Sequence, residues 1–170
     1  MPRPLPLIAV TEDFEAFYKR QYPRAVGVAY ALTGRRHVAE EIAQDAFIAG
    51  YRRWERVSRY DKPDAWLRRV VVNRSTSVLR RGVTEVKAIR RLRGGVDHIP
   101  ELEPDASDVW NEVRALPRRQ AQAIALFYLE DLSLDQIADV LECSPGTVKT
   151  HLRRGRVRLG RKLQTWKEEA

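Results

Sequence analysis

The 170-residue sequence predicts an all-α protein made of two small helical domains joined by a flexible linker, and three observations carry that expectation. Apolar residues recur at helical spacing in every periodic segment, and no stretch alternates apolar and polar residues between turn signals as a half-buried strand does. Charge changes sign along the chain. Fourteen Lys or Arg against four acids lie between Arg52 and Arg93, six acids and no Lys or Arg lie between Asp97 and Glu112, and a basic segment follows. Finally, Gly82 to Asp105 has no apolar period and contains Gly94, Gly95, Pro100 and Pro104, a composition that buries too little surface to order itself. The expected division is a helical bundle over residues 11–81, a linker over 82–108 and a second helical unit over 109–167.

Each element follows from its own local pattern. A first helix is expected from about Asp13 to Leu32 on Phe14, Phe17, Tyr18, Val28 and Leu32, with Pro23 kinking or interrupting it and Gly34 ending it. A second runs from about Val38 to Trp54 on the stripe Val38, Ile42, Ala46 and Ala49, flanked by Phe47, Tyr51 and Trp54. After the turn RYDKPD, a third begins near Pro63 and continues to about Arg81 on Trp66, Leu67, Val70, Val71 and Val78. The second unit resumes at Val109, Trp110, Val113 and Leu116, passes Pro117, and continues through Ala121, Ile124, Ala125 and Tyr128. Units this small bury only about 60% of their unfolded surface, so a partner surface helps to steady them.

The segment from Ser133 to Leu163 is the most informative. Ser133 stands at a helix start with Gln136 three residues later, the spacing of a capping box. Leu134, Ile137, Ala138 and Leu141 make the buried stripe, and Glu142 and Cys143 make a tight turn. Ser144 caps a second helix whose first position is Pro145, where a missing N–H costs nothing. Val148 and Leu152, four apart, dock that helix on the first, which leaves Thr147, Lys149, Thr150, Arg153 and Arg154 facing outward. This is a helix-turn-helix with donors that reach base edges and phosphates. Pro145 to Leu163 holds seven Lys or Arg and no acid, whereas a merely solvated face mixes both signs, so the pattern points to nucleic acid.

Other classes are excluded by what is missing. The formal net charge of +8 favours a polyanionic partner. The apolar run near the N-terminus is far too short for a membrane span and is followed at once by acids, so the expected location is cytoplasmic. Cys143 stands alone, so it makes no intramolecular disulfide, and no Cys/His cluster suggests zinc. Glu40, Glu41 and Asp45 lie near His37, but a helical metal site needs matching ligands on a facing helix and neither neighbour offers them, so no metal is expected. There is no nucleophile with a base and no glycine-rich phosphate loop, hence no expected enzymatic activity and no cofactor.

Four stretches together resemble the sigma factors of bacterial RNA polymerase, specifically the small two-domain extracytoplasmic-function group of the sigma-70 family. VAEEIAQDAFIAGYRRW looks like region 2.2 of that family, DAWLRRVVVNRSTSVLRR like regions 2.3 and 2.4, and LPRRQAQAIALFYLEDLSLDQIADVLECSPGTVKTHLRR like region 4. The spacer between them stands in the matching place, so the resemblance covers roughly Phe14 to Leu163. It implies a promoter-specificity subunit whose partners are core RNA polymerase and promoter DNA, with room for an anti-sigma factor that holds it inactive. Glu41, Gln44 and Asp45 then stand at the polymerase-binding positions. Trp66, Arg69, Asn73, Arg74, Arg80 and Arg81 become the candidates for melting and capturing the minus-ten element, with Asn73 beside a flipped-out base. The outward set on the last helix would read the minus-thirty-five element.

The chemistry of those residue types is suitable, since extruded bases are held by stacking, amide hydrogen bonds and cations along the backbone. Trp66 also fits a core anchor, the commoner role for a tryptophan this close to a bundle. Asn73 after three valines is a poor core choice and a good base reader. The sequence departs from the family's commonest form in carrying His151, Arg153 and Arg154 after Thr150. The rival reading is a stand-alone transcriptional regulator, because TVKTHLRR also looks like the recognition helix of response-regulator output domains. A regulator of that kind carries an α/β receiver, and the N-terminal half here is helical and basic. A structured-RNA binder suits the charge but lacks aromatic RNP strands and a GXXG loop.

Overall fold

The computed structural model describes residues 12–93 and 108–169, and all its regular structure there is helical. The order is α1 (Phe14–Thr33), α2 (Arg36–Tyr51), α3 (Trp54–Val57), α4 (Pro63–Arg93), α5 (Asp108–Arg114), α6 (Arg118–Glu130), α7 (Leu134–Leu141) and α8 (Pro145–Glu169). Most of the expected linker, residues 94–107, lies outside the described residues.

Local chemistry explains the helix ends. The Asp13 carboxylate accepts the Ala16 N–H at 2.7 Å to start α1, and Gly34 at φ 71° ends it by donating its own N–H to Tyr30 O at 2.7 Å. A side chain at that φ would be strained, which is why glycine stands there. Of the two expected effects of Pro23, kinking or interruption, the interruption does not occur, since α1 runs through it. Pro23 lies on the exposed side, so the carbonyl left without its helical partner faces water rather than the core. The second expected helix is also divided: α2 stops at Tyr51 and the chain turns before the single turn of α3. That turn sets the Trp54 ring 5.4 Å from Phe14 and 4.9 Å from Phe17, a packing gain that a straight continuation forgoes. Conversely, α4 continues past Arg81 to Arg93, because Val83 to Leu92 contains no proline and is built mostly of helix-compatible residues.

In the first unit α1, α2 and α4 pack around Phe17, Val28, Leu32, Ile42, Phe47, Leu67 and Val71, all nearly inaccessible. Gly50 lets α4 approach α2 closely: a Cβ there would stand 3.3 Å from Cζ3 of Trp66. In the second unit Ile124, Leu126, Ile137, Leu141, Val148 and Leu152 are buried between α6, α7 and α8. The two units are packed on each other, α1 against α5 and α6, and α4 against α7, so their buried side chains form one connected cluster. This places α7 beside the face of α4 that carries the strand-binding candidates.

Candidate nucleic-acid and polymerase interfaces

The helix-turn-helix forms as its sequence dictates. The Ser133 hydroxyl accepts from Gln136 N at 3.2 Å while Gln136 Oε1 accepts from Ser133 N at 2.9 Å, completing the capping box. Glu142 takes the left-handed conformation at φ 54°, turning the chain without a glycine. Ser144 accepts the Thr147 N–H at 3.1 Å to start α8, and its hydroxyl shares a hydrogen bond with that of Thr147. Val148 and Leu152 are buried, which fixes the rotation of α8. Thr147, Lys149, Arg153 and Arg154 are exposed and Thr150 is half-buried, its hydroxyl donating to Gly146 O at 3.0 Å.

Six of the seven cations of this segment divide into two groups. Lys149, Arg153 and Arg154 make no hydrogen bond or ion pair among the described residues. Arg156 lies over the rings of Phe127 and Tyr128 and donates to the Tyr128 hydroxyl at 2.9 Å; Arg158 donates to Gln120, and Lys162 pairs with Glu112. The first group is the open face, while the second ties α8 to α5 and α6. His151 lies between them, half-buried, with Nδ1 buried and unpartnered. Burial first, and then Arg119 and Arg154, lower its pKa below the ordinary value, so the ring adds no charge to the helix at neutral pH.

The strand-binding candidates on α4 have a different setting. Trp66 is half-buried against Gly50. Arg69 donates from Nη1 to Glu142 at 2.7 Å and from Nη2 to Asp139 O at 2.7 Å, both in the second unit. Asn73 is exposed, and its Oδ1 accepts from Arg118 at 3.2 Å. Arg74 donates to Asp45 at 2.8 Å. Arg80 and Arg81 continue α4, but their side chains lie outside the described residues.

The polymerase-binding candidates Glu41, Gln44 and Asp45 are all exposed on α2. The same helical stripe continues into Ile48 at 49% and Tyr51 at 67% exposure, so an acidic edge runs into an unusually open apolar one. Sequence reading assigned Tyr51 to the flank of the core. The Asp45–Arg74 pair joins this stripe to the α4 face. Among the described residues no three His, Cys, Asp or Glu side chains converge on a point that could hold a metal ion.

Several residues that bear on the site have no local signal in the sequence. Arg68 sends Nε and Nη2 to Glu130 Oε2, both at 2.9 Å, with the two side chains 11% and 4% exposed. Lys62 pairs with Asp139, Gln122 donates to Thr76 at 2.8 Å, and Arg114 donates to Ala31 O at 3.0 Å. Each of these links the two units, across 46 or more residues of sequence.

The family model described as "Sigma-70 region 2" matches residues 17–84, and that described as "Sigma-70, region 4" matches residues 107–159. An ECF RNA polymerase sigma factor, SigW of Bacillus subtilis, is 30% identical over 155 residues, covering 81% of this chain and 81% of its own. The chain belongs to the extracytoplasmic-function group of sigma-70 factors. It is an RNA polymerase sigma factor. The RNA polymerase sigma-E factor of Streptomyces avermitilis is 28% identical, covering 90% of this sigma factor and 86% of its own length. The fold also resembles that of the sigma factor RpoE solved with the anti-sigma factor NepR from Bartonella quintana, with a TM-score of 0.71, 24% identity and coverage of 89% and 97% of the two chains. CnrH, solved with the cytosolic domain of CnrY, gives a TM-score of 0.63 at 18% identity, covering 89% of this chain and 88% of that one. The stand-alone regulator is not favoured, since region 2 occupies the stretch where such a protein carries its receiver.

Proposed function

We propose that this sigma factor directs core RNA polymerase to promoters through three surfaces. Thr147, Lys149, Thr150, Arg153 and Arg154 of α8 read the minus-thirty-five element as duplex. Trp66, Arg69, Asn73, Arg74, Arg80 and Arg81 of α4 melt and capture the minus-ten element, with the Asn73 amide on an extruded base. Glu41, Gln44 and Asp45 of α2, extended by Ile48 and Tyr51, bind polymerase. Residues 11–81 and 109–167 are the two functional units, and 82–108, whose first part continues α4 as far as Arg93, is the linker that lets them span both elements. The bond-making belongs to the polymerase, and the factor itself works in the cytoplasm without enzymatic activity or cofactor. An anti-sigma factor is a further partner, on the likeness to two sigma factors solved with such proteins. No helix among the described residues is long and apolar enough to cross a membrane.

One observation carries the reading: a single chain presents an open basic recognition helix and, separately, an amide-bearing basic face on α4. Duplex recognition needs the first, and strand capture needs the second. Run-off transcription tests it. Core polymerase with this chain alone initiates at a defined site on linear duplex, and Asn73→Ala impairs strand opening, seen by permanganate footprinting of thymines, more than initial duplex binding. Initiation that still requires a separate specificity subunit overturns the proposal.

A further inference from the structure

The rotation of α8 follows from what it buries. Val148, Leu152 and Gly155 are buried, the last so closely that a Cβ there would stand 3.2 Å from Cγ1 of Ile124. At about 3.6 residues per turn, Thr150 then stands roughly opposite the centre of that buried side, in the middle of the outward face. Lys149 and Arg153 flank it on one edge and Arg154 on the other, all three exposed. Long cations at the edges reach phosphates and the outer rims of base pairs, so the short residue in the middle is the one that stands over the floor of a groove. Its single proton is already committed. The Thr150 hydroxyl donates to Gly146 O at 3.0 Å, and a threonine hydroxyl carries only one hydrogen. It is therefore no donor to guanine N7 and O6, adenine N7 or thymine O4, the acceptors that line the major groove. Thr150 is half-buried between exposed neighbours, as a short side chain turned against its own helix should be, and the Cγ2 methyl is the group left to meet a base.

We propose that Thr150 reads a thymine of the minus-thirty-five element by packing its Cγ2 methyl on the 5-methyl group of the base, and is not a hydrogen-bond donor to the element. The inference rests on the duplex-reading role proposed above for α8. Thymine alone among the four bases presents a methyl group in the major groove, so one apolar contact at the centre of the face selects thymine on one strand. The flanking cations act by charge and are weakened by salt, whereas a methyl contact carries no charge and releases no counterion. The two kinds of contact on α8 are thereby separable by experiment.

The test uses holoenzyme assembled from core polymerase and the full chain. Its preferred minus-thirty-five duplex is selected from a randomised library, and each thymine of that element, on either strand, is replaced singly by uracil, which deletes only the 5-methyl group. One such replacement should weaken binding about fourfold, the share of one buried methyl group. The factor should be the same at about 0.1 and about 0.3 M salt, although overall affinity falls steeply between them. At that position Thr150→Ser, which keeps the hydroxyl and removes the methyl, should bring the ratio of thymine to uracil affinity to about one. Thr150→Val, which keeps a methyl and removes the hydroxyl, should retain the ratio. Because the ratio is internal to each variant, a change in the fraction of folded protein cancels from it. A selected element without thymine, uracil tolerated at every position, or a ratio lost in Thr150→Val and kept in Thr150→Ser overturns the proposal. Holoenzyme that selects no sequence at all removes the duplex-reading role of α8 itself, whereas a selected element indifferent to uracil removes only the methyl contact, so the two readings fail separately.

Discussion

The two basic faces of this sigma factor are made of the same residue types and differ in company. On α8, Lys149, Arg153 and Arg154 point to solvent with no partner among the described residues, and the cations that do have partners hold the helix from behind. On α4, Arg69, Asn73 and Arg74 each have a named partner, two of them supplied by the other unit. The difference teaches that a run of positive charge gives the potential to bind nucleic acid, while the neighbours decide whether that potential is available. On the roles proposed above, α8 can remain open because reading duplex needs no rearrangement, whereas a strand-capturing face on α4 is useful only after the duplex melts.

The strongest way to break this comparison is to show that the open face of α8 also supports the fold. Leu152→Ala, on the buried side, should cost about 2 to 5 kcal/mol in urea unfolding, whereas Arg153→Ala beside it should stay within about 0.5 kcal/mol. A comparable loss from Arg153→Ala would mean that the exposed face is structural.

Next in size is the effect on promoter binding. For holoenzyme on a promoter library, replacing a base-reading member of Lys149, Arg153 and Arg154 by alanine should cost about 1 to 3 kcal/mol and relax one position, while replacing a phosphate-binding one should weaken all sequences and flatten the salt slope by roughly one. Arg69→Ala should leave that first duplex contact almost unchanged and act on strand opening. Neutrality of all three α8 substitutions would show that the reading surface has been misplaced.

A smaller effect concerns polymerase. Asp45 is tied to Arg74, so reversing its charge disturbs two surfaces at once, and Glu41→Arg is the cleaner change. It should slow association with core polymerase several-fold, most at low salt, with unchanged circular dichroism. Association that does not respond would remove Glu41 from the interface.

The smallest prediction turns on His151. Its folded pKa lies below the ordinary 6.5, so the unfolded chain takes up the proton more readily. Stability from this residue is therefore complete above that ordinary value and declines as pH falls through it. Arg119 and Arg154 are the charged groups that face the ring, and both remain positive across this range. Between about pH 7.5 and about pH 5.5 the wild type should lose more melting temperature than His151→Gln. Parallel losses in the two proteins would place the pH dependence elsewhere.

Much of this was legible in the residues themselves, because it is local. Ser133 with Gln136, Ser144 with Thr147, and Gly34 act over three or four residues, and the apolar stripes of α1, α7 and α8 repeat at helical spacing, so caps, turns and buried faces can be read directly. The outward set on α8 followed by subtraction once Val148 and Leu152 were assigned to the core. The break after Tyr51 and the unbroken course of α1 through Pro23 were not legible, since each was decided by what lay across from it: aromatic rings for Trp54, water for Pro23.

The sequence by itself determined the all-α class, the helix-turn-helix and the basic, outward-facing character of its second helix. Tertiary structure alone decided that Glu130 is the partner of Arg68, that Glu142 in the turn holds Arg69, and that Arg118 reaches Asn73, pairs separated by 62, 73 and 45 residues. The physical reason is that a capping bond or an amphipathic stripe repeats with the geometry of the helix that contains it. An ion pair between two units depends only on where the chain brings them together, and it leaves no period in the sequence.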